Sequence, residues 1–153
     1  MSQTAGQMSQ SATSSAQNTA STMQSAMSDG DAIFTAPHLK WGVIGCGVIA
    51  NQMAEALASV GRTIDGVANR TQEKAVAFAQ KHHVKRVYDS IDDLLASDEI
   101  DAVYLTTPHN THIIYLRKAL QAGKHVLCEK SITLNSAELL EAEELARQNG
   151  VQL

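Results

Sequence analysis

Charge is missing from the start of this chain. Residues 1–28 contain no Asp, Glu, Lys or Arg and no aromatic residue; they are Ser, Gln, Thr, Ala and Met with a single Gly and a single Asn. Such a stretch has too little apolar surface to offset the entropy of ordering it, so residues 1–37 are expected to form a disordered, low-complexity tail. The remainder, residues 38–153, suffices for one hydrophobic core and not for two. Four of the five methionines precede residue 28, and the composition changes at Met27-Ser28. Met27 is therefore the expected translation start, with residues 1–26 carrying no function.

Other shortages exclude whole classes of function. The two cysteines, Cys46 and Cys128, make neither a disulfide framework nor a zinc-ligand cluster, which suits a reducing cytoplasm. Lys and Arg number 12 against 16 acidic residues, for a net charge of −4, so no basic face is available for nucleic acid. No apolar run approaches the ~20 residues of a membrane span. The start has neither the basic and apolar regions of a secretory signal nor the arginines of a transit peptide. The expectation is a cytoplasmic protein with no nucleic-acid or membrane partner.

What the chain does have is alternation. Leu39–Ile44 is a short β-favouring run opening into Gly45-Cys46-Gly47, after which Ile49, Met53, Leu57 and Val60 recur at helical spacing until Gly61. Strands are predicted at Thr63–Ala68, Val87–Tyr88, Ile100–Thr106, His125–Cys128 and Val151–Leu153. Helices are predicted between them. Thr71 is placed to cap one, Ser90-x-x-Asp93 opens a second, Ile113, Leu116 and Leu120 mark a third, and Asn135-x-x-Glu138 is a capping box for the last. This order predicts an α/β fold, a doubly wound parallel sheet with helices on both faces.

The most specific local pattern is Gly45-Cys46-Gly47-Val48-Ile49-Ala50, which reads G-x-G-x-x-A between a strand and a helix. The first glycine permits the turn, the second lets a pyrophosphate approach the backbone, and the small third residue lets helix pack on strand. The N–H groups opening the helix, at Val48 and Ile49, then favour phosphate. A nicotinamide dinucleotide is the expected partner; a tight turn without a ligand is the competing reading. Where an NAD-selective fold carries Asp or Glu at the end of the second strand, this chain has Asn69, then Arg70 and, a turn later, Lys74. Neutral Asn does not repel a 2′-phosphate, and the two cations can clamp it. NADP is thus expected, with NAD the alternative; against it stands the reading of Arg70 and Lys74 as a solvated helix face.

Three segments together carry a family resemblance: the GCGVIA loop, Thr106-Thr107-Pro108-His109-Asn110-Thr111-His112, and Ala122-Gly123-Lys124-His125-Val126-Leu127-Cys128-Glu129-Lys130. From Lys40 to Leu153 the chain resembles the nucleotide-binding half of the Gfo/Idh/MocA oxidoreductases, nearest in flavour to dihydrodiol and sugar dehydrogenase-like members. The resemblance implies a Rossmann NAD(P)-binding domain over 38–153, in which Thr106, Thr107, Pro108, Asn110, His112 and Glu129 contact or shape the cofactor pocket. It makes Lys130 the catalytic residue, near the nicotinamide and the reacting carbon. The implied reaction is hydride transfer between nicotinamide and a secondary alcohol or ketone of a sugar, polyol or diol.

Two departures matter. The proline that follows Glu-Lys in the family is Ser131 here, so either the Lys130–Ser131 bond is trans and the nicotinamide wall differs, or a cis bond is held by its surroundings. The substrate domain of the family is expected to be absent from this chain. The chain therefore reads as a truncated or split product, and a carbohydrate-like substrate is expected only if a second domain is supplied. A homo-oligomer is left open. The alternative is a nucleotide-binding module without chemistry, or an inactive remnant. A methyltransferase using S-adenosylmethionine is a third reading, disfavoured by Arg70, Lys74 and the Glu129-Lys130 segment.

Some residues are expected to do less than their type suggests. His109-x-x-His112 and His82-His83 have no Cys or carboxylate at a matching spacing, so no metal site is expected. Cys46 and Cys128 read as small apolar fillers. Glu138, Glu141, Glu143 and Glu144 read as a solvated helix face.

Overall fold

The computed structural model describes residues 37–153. The expected tail, apart from Pro37, and the expected start at Met27 lie outside the described residues. Among the described residues five short strands alternate with five helices: β1 (Trp41–Ile44), α1 (Val48–Ser59), β2 (Gly66–Ala68), α2 (Gln72–His82), β3 (Arg86–Val87), α3 (Ile91–Ala96), β4 (Ala102–Leu105), α4 (His109–Gln121), β5 (His125–Cys128) and α5 (Ser136–Asn149). All pairings are parallel, and the sheet order is β3-β2-β1-β4-β5. The chain leaves β1 toward β2 and β3, then returns to build β4 and β5 on the other side. This is the doubly wound Rossmann order, with its reversal point between β1 and β4.

Alternate strand residues supply two cores. Val43, Val67 and Tyr104 face one side of the sheet and pack with Ala50 and Ala54 of α1 and with Ala75, Phe78 and Ala79 of α2. Ile44, Ala68, Val103, Leu105 and Val126 face the other and pack with Leu94 and Leu95 of α3, Leu116 and Leu120 of α4, and Ala142 and Ala146 of α5. A sheet covered on both faces needs apolar residues at consecutive positions, which is why β1 and β4 read as unbroken apolar runs.

Capping follows the sequence closely. Ser90 Oγ accepts the Asp93 N–H at 3.0 Å, and Asn135 Oδ1 accepts the Glu138 N–H at 3.0 Å. The Glu138 carboxylate returns to the Leu134 N–H at 3.2 Å. Thr71 stands at the N-cap of α2 as expected, but its hydroxyl makes no cap bond; instead the Thr71 carbonyl accepts from Asn69 Nδ2 at 2.9 Å.

Two expectations need correction. The strands are shorter than their apolar runs because side chains intercept the flanking backbone. The N–H groups of Lys40 and Trp41 donate to the Asp101 and Asp65 carboxylates, at 2.8 and 3.0 Å, and not to a neighbouring strand. Val151–Leu153 forms no strand. The Val126 N–H donates to the Gln152 carbonyl at 2.8 Å, but the Gln152 N–H is taken by the His125 ring Nδ1 at 3.0 Å, so the pairing does not extend into a ladder.

Candidate functional site at the sheet reversal point

The β1–α1 turn opens directly over the reversal point. Gly45 has φ +102°, and a Cβ there would lie 2.7 Å from Thr106 Oγ1, so only glycine fits between β1 and the end of β4. Gly47 differs: a Cβ there would meet nothing within 4 Å. Its bareness leaves open space above the backbone, the shape of a cradle that a side chain would partly fill. Gly47 is the N-cap of α1 and brings no side-chain cap, so the first-turn N–H groups of α1 are left for an external acceptor.

The turn is braced from behind. The Gly47 carbonyl accepts from the Asn51 backbone N–H at 3.2 Å and from Asn51 Nδ2 at 2.8 Å. The Asn51 Oδ1 in turn accepts from His82 Nε2 at 2.7 Å and Lys81 Nζ at 2.9 Å. Burial, with Lys81 next, lowers the His82 pKa, which favours a neutral ring donating through Nε2. Asn51 and His82 are site-supporting residues that sequence reasoning missed, since the contact joins the first turn of α1 to the end of α2.

In front of the turn lies a cavity of about 420 Å³. Of the residues expected to bind a dinucleotide, Gly45, Cys46, Gly47, Asn69, Arg70, Lys74, Thr106, Thr107 and Pro108 line it together. Thr71, Ile91, Thr111 and Tyr115 line it too. Thr111 and Tyr115 follow Thr107 at four-residue spacing, a helical signal that was legible. Thr111 Oγ1 donates to the Pro108 carbonyl at 2.6 Å and lies 2.9 Å from Thr107 Oγ1. Ile91 has no local signal; the brevity of β3 brings the start of α3 to the cavity.

The lining contains no carboxylate, and its two cations, Arg70 and Lys74, form no ion pair among the described residues. Cys46 is half-buried, and burial pushes its thiol up to about 11, with Lys74 pulling the other way. Cys128 is pushed up to about 12 by burial, with the Glu129 charge adding to it. Both are therefore protonated, unreactive thiols near neutral pH.

The remaining predicted residues stand outside the cavity. Val48 and Ile49 are exposed on the first turn of α1, Val48 by 73%. Asn110 is exposed at the start of α4. His112 is fully buried behind the cavity wall. Its Nε2 lies 2.7 Å from the Thr107 carbonyl and its Nδ1 2.8 Å from the Ser131 carbonyl, so it brackets the loops that follow β4 and β5. Glu129 and Lys130 sit just past β5. Glu129 is half-buried and hydrogen-bonded to the Tyr104 phenol, while Lys130 is exposed. The Lys130–Ser131 bond is cis, the second of the two arrangements expected. Among the described residues no group of three or more His, Cys, Asp or Glu is gathered to hold a metal ion.

Residues 39–153 match the Gfo/Idh/MocA oxidoreductase family, described by its NAD-binding Rossmann fold. The chain belongs to this family. Its similarity to trans-1,2-dihydrobenzene-1,2-diol dehydrogenase of Xenopus laevis is 38% identity over 117 residues, covering 74% of this chain and 36% of that protein. The mouse dehydrogenase of the same name is 36% identical over 118 residues, with 75% and 35% covered. Among solved structures, KijD10, a 3-ketoreductase from Actinomadura kijaniata in complex with TDP-benzene and NADP, superposes with a TM-score of 0.71 at 32% identity, over 76% of this chain and 37% of that one. UDP-N-acetylglucosamine 3-dehydrogenase GnnA from Acidithiobacillus ferrooxidans gives 0.68 at 34% identity, over 76% and 37%. The chain thus spans about a third of the length of these relatives and corresponds to the family's NAD(P)-binding Rossmann domain. No helix among the described residues is long and apolar enough to cross a membrane.

Proposed function

We propose that this chain binds NADP(H) in preference to NAD(H), as the cofactor half of a cytoplasmic oxidoreductase. The observation that carries the preference is the cavity lining, which offers Arg70 and Lys74 beside the neutral Asn69 and no carboxylate. The bare Gly47 backbone and uncapped α1 N-terminus suit the pyrophosphate. Arg70, in the turn after β2, and Lys74, in the first turn of α2, suit a 2′-phosphate through charge-assisted hydrogen bonds. Asn69 is held by its bond to the Thr71 carbonyl and brings no charge that would oppose it. Tyr115 and Ile91 supply apolar wall for the adenine. That the solved KijD10 complex contains NADP agrees with this reading.

The chemistry assigned to the family member is hydride transfer to or from a secondary alcohol or ketone carbon of a sugar, polyol or diol. A bound nicotinamide supplies or accepts the hydride. Lys130, exposed next to Glu129 past β5, is the catalytic residue: its ammonium hydrogen-bonds a ketone oxygen and gives it the proton as the hydride arrives, and the reverse reaction returns that proton to the lysine. The names of the relatives, a diol dehydrogenase, a 3-ketoreductase and a UDP-sugar 3-dehydrogenase, support that substrate class.

Arg70→Ala decides the cofactor reading. Calorimetric titration should show NADPH affinity falling more than about tenfold and NADH affinity less than about threefold. Equal losses for the two nucleotides contradict it.

A further inference from the structure

Tyr104 lies in the middle of β4, paired in register with Leu127 of β5. Its neighbours Val103 and Leu105 turn to the α4 and α5 face, whereas Tyr104 packs with Val43, Ala50 and Ala54 on the α1 face. Side chains on this same face of β5 are Leu127 and, two residues on, Glu129. Tyr104 is 6% exposed, and a phenylalanine would fill that core position without bringing a hydroxyl that needs a partner. The partner is Glu129: the phenol O–H donates to Glu129 Oε1.

We propose that Tyr104 is a positioning residue, its phenol holding the Glu129 carboxylate in place at the β5 end of the crevice so that it can meet the nicotinamide-side ribose. This rests on the NADP(H) reading above. The Glu129 backbone is anchored by its N–H to the Leu105 carbonyl at 3.1 Å, which leaves the flexible side chain to be ordered. The phenol does this through one oxygen, and Oε2 has no hydrogen-bond partner among the described residues. A carboxylate tied by one oxygen and open at the other is pre-set to accept from a ribose hydroxyl, with its rotamer entropy already lost. Burial first, and the bond to Glu129 second, raise the Tyr104 phenol well above its ordinary value, so it remains a donor wherever the carboxylate is ionised. The assignment gives a core tyrosine a part in cofactor affinity although it stands outside the cavity.

The test is a double-mutant cycle on the full chain, read by calorimetry with two probes. NADPH spans both ends of the crevice; adenosine 2′,5′-bisphosphate carries the adenosine end and no nicotinamide. Tyr104→Phe and Glu129→Ala should each weaken NADPH by about tenfold, the double variant should be no weaker than Glu129→Ala, and all should hold the bisphosphate as the wild type does. In a Glu129→Gln background, where an amide oxygen still accepts from the phenol, Tyr104→Phe should again cost affinity. Independent losses that multiply, unchanged NADPH binding in Tyr104→Phe, or a parallel fall for the bisphosphate overturns the assignment and leaves Tyr104 as core packing. A wild-type chain that binds neither probe overturns the NADP(H) reading itself, and the assignment falls with it.

Discussion

The two ends of the crevice are built to different degrees. At the β1–β2 end, a glycine turn braced from behind by Asn51 and His82 lines a cavity together with Arg70, Lys74 and the segment Thr106–Pro108. At the β5 end, Glu129 and Lys130 sit past an edge strand whose α1-side residue, Leu127, is 44% exposed. The difference follows from the connections. Helices α1 and α2 return across the α1 face over β1 and β2, whereas α4 and α5 both pack on the opposite face and leave β5 bare toward α1. Under the proposed reading, the phosphate and adenosine end is walled early in the chain, while the nicotinamide end lies beside the bare face of β5. For this reason the proposed cofactor contacts are strongest at the end remote from the chemistry.

The largest expected effect separates the covered half from the bare one by stability. Phe78→Ala, in the core between α2 and the sheet, should cost about 3–5 kcal/mol in a urea melt. Leu127→Ala should cost less than about 1 kcal/mol, because little buried surface is lost. Similar losses at the two positions would mean that β5 is covered after all.

The next contrast lies within the turn. Gly45→Ala should destabilise the fold by about 1–3 kcal/mol, since φ +102° and the close approach to Thr106 exclude a side chain. Gly47→Ala should leave the melt within about 0.5 kcal/mol while weakening nucleotide binding about tenfold, because its Cβ meets no protein atom and enters only the ligand's space.

The smallest effect is chemical. Burial disfavours the thiolate, so with Cys46 pushed up to about 11 only about one thiol in a thousand is ionised at pH 8. Reaction with iodoacetamide should be slow at pH 8 and speed up as the pH rises toward 11. Saturating NADPH should protect Cys46, which lines the cavity; an unchanged rate at Cys46 would put the ligand outside this cavity.

Sequence patterns exposed most of this architecture for identifiable reasons. Residues 45–47, 69–70 and 106–108 directly follow strand ends, with Lys74 in the first turn of the helix after β2, and a parallel sheet delivers all its strand C-termini to one edge. Local rules therefore sufficed to gather them. The Asn51–His82 brace, the Ile91 wall and the Tyr104–Glu129 bond escaped, because each joins elements whose packing angle is set by the assembled core. Val151–Leu153 has the residue types of a strand, but the His125 ring captures the Gln152 N–H that a ladder needs. Likewise the strand starts were drawn in by Asp65 and Asp101, carboxylates that a pattern of apolar residues does not register.

The unequal crevice is tested most directly by titrating the full chain calorimetrically with adenosine 2′,5′-bisphosphate and, separately, with nicotinamide mononucleotide. A finished adenosine end beside an open nicotinamide end predicts clear saturable binding of the bisphosphate and none of the mononucleotide. Binding of the mononucleotide without the bisphosphate would contradict that account.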